Sequence, residues 1–376
     1  MTATEDIIGR SDINDIDSIL AITNPGDDAA SLGVASNFDS LFTWDYERSR
    51  PALSKLYEKS KTSQWNGATD LDWSTDVDIE KTASALIVND KAALFSTMDL
   101  AGTPFAKWKY KEWIAYEIEA QNWALSQFTH GEQGALLCTA RVTETVPYID
   151  AKYYAATQVM DEARHVEVFS RYLDEKLEGM YPINAHLRLL LEDILTDSRW
   201  DMTYLGMQVM VEGLALAAFS FMHQMTSEPL LKKLLRYVMS DEARHVAFGV
   251  LSLQECYAEM SDAEIRERQE FAFEAAVRMR DRFLQQEVWE RLGLPVKEVV
   301  AMIVDAPERK LFQSILFSKI VPNCKKLGLL DRNGGWLRQK FTELDVIHFE
   351  DAADASEEYN ALDEVAKDRA ALAAAS

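Results

Sequence analysis

The hexapeptide DEARHV stands at Asp161–Val166 and again at Asp241–Val246, each time inside an otherwise apolar stretch. A solvent-facing helix can carry one such word by accident. Two copies offset by 80 positions ask for a shared task. Thirty positions before each glutamate of the repeat stands another glutamate: Glu132 before Glu162, and Glu212 before Glu242. The same offset therefore relates Glu132 to Glu212, Glu162 to Glu242 and His165 to His245, an internal duplication of spacing rather than of one word.

The flanking residues show helical periodicity, from about residue 81 to 340, with few of the alternations that mark a sheet. Prolines divide this region. Long helices are expected over about 111–146 (ended by Pro147), 151–177, 199–226 (broken at Pro229) and 230–260, with a shorter one at AHLRLLLEDIL. From Glu132 the chain runs 14 residues to Val146, turns, and runs 11 from Ala151 to Glu162. At about 1.5 Å per residue the two carboxylates return to nearly the same height. Glu212 and Glu242 repeat this around Pro229. Glu162 and His165 share one helical face at i and i+3, as do Glu242 and His245.

Four carboxylates and two imidazoles are thus expected to converge among four apolar helices. Burying that much like charge without compensation is prohibitive. Two divalent cations would cancel it. A single Glu-x-x-His is usually a surface pair; six such groups in a duplicated, height-matched pattern read as a dinuclear metal site with Glu132, Glu162, His165, Glu212, Glu242 and His245 as ligands.

The chain has 376 residues, 48% of them hydrophobic and 27% charged, the composition of a globular protein with a sizeable core. A formal charge of -23 opposes nucleic acid or an anionic membrane as the main partner. Cys138, Cys256 and Cys324 form no metal-type spacing and read as reduced thiols, so a cytoplasmic protein is expected. No signal-like leader and no uninterrupted membrane-length apolar run stand out. Residues 1–80 read as an extension wrapping the main body and partly mobile, with turns at Pro25-Gly26 and Asn66-Gly67. Residues 81–350 form the helical domain, and 351–376 an acidic, alanine-rich tail or surface helix.

On these residues the sequence resembles the ferritin-like di-iron carboxylate superfamily, whose bundles place Glu on two helices and Glu-x-x-His on the other two. The resemblance is strongest over about 111–260. It implies an all-α fold, a ferritin-like four-helix bundle core with additional flanking helices and the N-terminal extension. The length of the chain is closer to the oxygen-activating branch: monooxygenase hydroxylases, acyl desaturases and ribonucleotide reductase small subunits. The resemblance also implies that Asp161 and Asp241 orient the histidines, with Arg164 and Arg244 pairing them across the bundle.

Three departures matter. Phe169 stands where reductase small subunits place a radical tyrosine, seven residues after Glu162. Leu216 and Ala215 stand where hydroxylases and desaturases keep a threonine. Val238 stands where arylamine N-oxygenases add a third histidine. Gly131 and Gly134 flank Glu132 inside a helix, at a cost of up to about 1 kcal/mol each; open space for substrate and close helix packing are both readings. Phe128, Gly131, Ala135, Phe169, Met207, Leu216 and Phe219 are the expected pocket residues, with simple core packing as the alternative. His130 and His223 fall off the ligand spacing.

The expected activity is that of an oxygen-activating di-iron oxidase or oxygenase with dioxygen as co-substrate. It would hydroxylate, epoxidise, N-oxygenate or desaturate a small or medium organic molecule. No flavin fingerprint or iron–sulfur cysteine cluster is present, so a separate reductase or ferredoxin is expected as electron donor, with a homodimer as the candidate assembly. The alternatives are an iron-oxidising or storage ferritin and a ligand-binding oxidase with manganese or mixed Mn/Fe, since spacing alone does not select the metal.

Overall fold

The computed structural model describes residues 7–359 apart from 11, 25–30, 36–37, 178 and 305, together with 367, 368 and 371. The expected turn at Pro25-Gly26 and most of the acidic tail lie outside the described residues. Three short helices come first: α1 (Ile16–Leu20), α2 (Pro51–Thr62) and α3 (Ile79–Ser84). A two-residue hairpin of β1 (Ile87–Val88) and β2 (Lys91–Ala92) precedes α4 (Tyr110–Thr145) and α5 (Ile149–Tyr172). Then follow α6 (Ala185–Thr196), α7 (Trp200–Tyr204), a wide-turn π segment over Leu205–Val211, α8 (Glu212–Met225) and α9 (Pro229–Glu259). Flanking helices complete the chain: α10 (Asp262–Arg282), α11 (Gln286–Arg291), α12 (Val296–Ile303), α13 (Pro307–Phe317), α14 (Val321–Lys326), α15 (Arg332–Glu343) and α16 (Ala355–Glu358). The fold is the all-α, ferritin-like bundle with flanking helices.

Local chemistry sets the bundle's joints. Val146, held extended before Pro147, ends α4 after 36 residues, roughly 54 Å of helix. Pro229 opens α9 where its missing N–H costs nothing, and the Glu228 carboxylate accepts from the Leu230 and Leu231 amides at 2.7 and 2.6 Å. Ser261 and Glu264 form a reciprocal cap at the start of α10. α4 pairs with α5 and α8 with α9, while α5 also packs on α9. Those contacts close the four-helix core.

Parts of the extension pack against the bundle. Ile7, Ile19 and Ile22 are buried, and α2 packs on α5 and α9. The Asn66-Gly67 turn forms, with the Asp70 amide donating to the Asn66 carbonyl at 2.9 Å. A Cβ at Gly67 would meet Val168 at 2.5 Å, so glycine lets this turn lie directly on α5. The 199–226 helix departs from expectation in containing the π segment. Trp200–Met225 also proves long and apolar enough to cross a membrane, and 78% of its most apolar window is buried inside the protein. It serves as a core helix.

Candidate metal centre

Six side chains meet at mid-height of the four core helices. Glu132 comes from α4, Glu162 and His165 from α5, Glu212 from the first residue of α8, and Glu242 and His245 from α9. None exceeds 5% exposure. One donor atom each from Glu132, Glu162, His165 and Glu242 lie within 4.8 Å of one another, and so do those of Glu162, Glu212, Glu242 and His245. Glu162 and Glu242 belong to both foursomes. The duplicated sequence thus becomes two overlapping sites that share a pair of carboxylates.

The histidines face the carboxylates through Nδ1. His165 Nδ1 lies 3.2 Å from Glu132, 3.4 Å from Glu162 and 3.0 Å from Glu242. His245 Nδ1 lies 3.0 Å from Glu162 and 3.5 Å from Glu242. Each Nε2 turns away toward an aspartate of the other repeat: His165 toward Asp241 at 3.1 Å, His245 toward Asp161 at 3.3 Å. An Nε2–H donated to carboxylate leaves the Nδ1 lone pair aimed at the centre. Arg164 donates to Asp161 at 2.5 Å and across the bundle to Asp241 at 2.9 Å. Arg244 is less symmetric, bonding Asp241 on its own helix and standing 3.9 Å from Asp161.

Burial pushes the Glu132 and Glu212 carboxyls far above their usual range, helped by the neighbouring charges of Glu242 and Glu162 respectively. Burial alone would lower both histidines, but the facing carboxylates, led by Glu132 for His165 and Glu162 for His245, hold them well above normal. For Glu162 burial is overcome by His245 and His165, which keep it ionised. Protons therefore stand in for cations in the metal-free protein. The donor set fits two metal ions on an independent ground. Glu162 Oε2, Glu212 Oε2, both Glu242 oxygens and His245 Nδ1 are buried without a hydrogen-bond partner. Clustered orphan acceptors of this kind are what a cation satisfies.

Three residues at the centre escaped sequence reasoning. Gln158 Nε2 donates to Glu162 and Glu212, both at 2.9 Å, and fixes them relative to each other. Its place one turn before Glu162 was a readable signal. Trp65 Nε1 donates to Asp241 at 2.7 Å, and Gln64 links Asp161 (2.9 Å) with Arg164 (2.8 Å). These two come from the extension, about 100 and 176 positions from their partners, and no local pattern announces them.

A cavity of about 370 Å³ lies between α4, α8 and α13, and of the seven expected residues only Phe128 lines it. Phe169 and Phe219 pack behind Phe128, ring centroids 6.1 and 4.6 Å away, and close the centre on that side. Ala135, Met207 and Leu216 are core. Gly131 faces open space, whereas a Cβ at Gly134 would meet Leu191 of α6 at 2.6 Å, so Gly134 answers to close packing. His130 lies off the centre, its ring bonded to the Tyr181 carbonyl at 2.9 Å.

Comparison with known proteins adds the family. Among solved structures, similar folds include a variant of an R2-like ligand-binding oxidase with anaerobically reconstituted Mn/Fe cofactor, at 20% identity and TM-score 0.47. Two further R2-like ligand-binding oxidases were reconstituted aerobically, one described after photoconversion and one after a long soak with Mn/Fe, each at 18% identity and TM-score 0.47. In all three the alignment covers 75% of this chain and 94% of the other. No curated protein sequence matches. The family described as P-aminobenzoate N-oxygenase AurF matches residues 140–328, which hold five of the six converging residues, all but Glu132. Val238, at the position where the resemblance would put a third histidine, is fully buried. The match spans half of the chain, and the protein belongs to the p-aminobenzoate N-oxygenase AurF family.

Proposed function

We propose that Glu132, Glu162, His165, Glu212, Glu242 and His245 hold two iron ions, or a manganese and an iron, with Glu162 and Glu242 shared between them. The family makes the protein an oxygenase, an oxidoreductase acting on a small organic substrate, with a dinuclear iron cofactor as the reading and a manganese–iron pair as the alternative, since ligand spacing does not select the metal. Such a pair, when bound, supplies dioxygen activation and oxidation of an organic molecule. The observation that carries the residue assignment is the overlap of two buried four-residue clusters whose free acceptors face one another.

The chain's own residues do the positioning. Asp241 and Asp161 hold His165 and His245 in the tautomer that directs Nδ1 inward. Gln158 sets the spacing of Glu162 and Glu212. Phe128, Phe169 and Phe219 keep water from the centre on the cavity side. Electrons come from a separate reductase or ferredoxin, in keeping with three dispersed, unbonded cysteines that build no cluster. The same thiols suit a reducing, cytoplasmic setting.

Anaerobic loading with ferrous iron, then rapid mixing with dioxygen and a panel of amines and hydrocarbons, tests the reading. A transient absorbance whose decay a substrate accelerates is expected. Glu162→Ala and His245→Ala should lose metal and turnover together. Full iron occupancy in either variant would overturn the ligand assignment.

A further inference from the structure

The outer side of the α4–α5 hairpin is bare and apolar. Leu137 and Ala140 on α4, and Ala156, Met160 and Ala163 on α5, recur at spacings of three and four residues and stand exposed. Counted from the level pair Glu132 and Glu162, Leu137 and Met160 differ in height by three residues, roughly 5 Å. The two stripes therefore run side by side on the paired helices. Within 133–143 and 153–166 every charged side chain (Arg141, Asp161, Glu162, Arg164, His165) is buried. Glu144 at one end and Glu167 at the other are the first exposed charges along the stripes. An uncharged apolar face along two helices marks an interaction site.

The segment before α2 supplies a counterpart. Residues 38–50 run past the tip of the same hairpin without helix or strand. Their polar groups grip the tip. The Leu41 amide donates to the Glu144 carbonyl at 2.9 Å, Thr43 Oγ1 to the Pro147 carbonyl at 2.8 Å, and Arg48 Nε to Asp150 at 2.8 Å. Phe42, Trp44 and Tyr46 alternate with Leu41, Thr43 and Asp45 and turn to solvent, Phe42 at 77% and Trp44 at 75% exposure. The Phe42 and Trp44 rings stack, centroids 5.1 Å apart and planes 11° from parallel.

Charge selects what covers these surfaces. Two copies that each carry -23 repel wherever acidic surfaces meet, and approach at least cost across a face without charge. An electron donor is the rival protein, but transient redox encounters are steered by complementary charge, and this face offers none. Interface cores between like subunits are depleted of charge and enriched in aromatic rings and Met. A two-fold interface also needs both halves of the match on one chain. Both are present here: rings on the arm, small side chains and Met160 on the hairpin. The acidic tail is held elsewhere, with Asp368 accepting from Tyr237 of α9 at 2.8 Å.

We propose that the α4–α5 face and the 38–50 arm form a two-fold interface with a second copy of this chain, the Phe42–Trp44 pair of each copy lying on the Ala140, Ala156 and Met160 surface of the other. The interface backs the two helices that carry Glu132, Glu162 and His165, so assembly braces half of the metal centre. It stands independently of the oxygenase reading.

Sedimentation velocity of the full chain tests this. At about 10 μM the chain, 42.6 kDa, should sediment as a dimer. Leu137→Lys with Met160→Lys puts two lysines per copy into the contact and should weaken association at least about 100-fold. Phe42→Ser with Trp44→Ser should weaken it at least about tenfold. Leu311→Lys, at an exposed position on α13, should leave it unchanged. Circular dichroism checks that each variant folds, and Ala156→Lys alone carries the test if the double lysine variant does not. A wild-type monomer at that concentration would overturn the proposal and leave the face to an electron donor. A dimer that survives the lysines, or that Leu311→Lys weakens equally, would overturn it too. A dimer broken by the lysines but indifferent to the loss of both rings would overturn the seating of the arm.

Discussion

Asp241 Oδ2 lies 3.1 Å from His165 Nε2, although the two residues belong to different copies of the repeated hexapeptide. The reciprocal pair, Asp161 and His245, stands at 3.3 Å. Each imidazole is therefore oriented by the opposite helix. Asp241→Asn should weaken metal binding by roughly 10- to 100-fold, since an amide neither fixes the tautomer nor raises ligand basicity as a carboxylate does. Competitive titration with a chelator measures this. Unchanged affinity would remove Asp241 from the support of the centre.

Trp65 gives the same aspartate a second donor, at 2.7 Å, from outside the bundle. Trp65→Phe keeps most of the ring packing against Tyr237 and deletes the indole N–H. A buried hydrogen bond to a charged acceptor contributes on the order of 1.5–3 kcal/mol. Denaturant unfolding of the metal-free protein should show a loss of about that size. No loss would mean that Arg164, Arg244 and His165 satisfy Asp241 without help from the extension.

The two glycines beside Glu132 should part company. Gly131→Ala meets nothing within 4 Å and should stabilise α4 by up to about 1 kcal/mol through helix propensity. Gly134→Ala drives a Cβ into Leu191 and should cost about 1–3 kcal/mol. Thermal melts of the pair decide the matter. A destabilising Gly131→Ala would show that the open face beside Glu132 is used by something else.

Acid and base should act on the metal-free protein in a defined sense. His165, His245, Glu132 and Glu212 all have folded pKa values above their unfolded ones, and Glu117 reaches about 8. The folded state thus binds more protons than the unfolded state above about pH 6.5. Stability should fall as pH rises from there toward 8.5. The depressed groups, Glu162 and Asp241, contribute stability that is already complete above about pH 4.5 and is lost only in acid. Metal uptake must displace the held protons, so affinity should rise with pH and loading should release protons into a weak buffer. A melting temperature that climbs between pH 6.5 and 8.5 without metal would contradict this charge balance.

The sequence revealed the parts governed by period and repetition. Helical spacing placed α4, α5, α8 and α9, and the 80-residue offset named the six converging side chains, because mid-helix height follows from counting residues around Pro147 and Pro229. It did not reveal groups whose partners are remote in the chain. Gln64 and Trp65 sit in a turn-rich stretch with no period, and only folding brings them onto α5 and α9. The cavity beside α4 was not legible for a related reason. Apolar residues near the ligands were read as pocket, yet space opens where small residues, Ala120 and Ala124, stand opposite α8 and α13. Absence of bulk leaves a weaker mark on a sequence than its presence.

The π segment over Leu205–Val211 ends on the residue before Glu212. Regular winding turns the chain by about 100° per residue, whereas a π turn spreads its bonds over five residues. Deleting one residue from this stretch would invite ordinary winding and rotate α7 relative to α8. Either Glu212 would swing off the axis of the bundle, or Trp200 and Tyr204 would leave their seats. Angular phase, set by one locally loosened coil, is thus a quantity this fold must hold fixed as firmly as any distance at its centre.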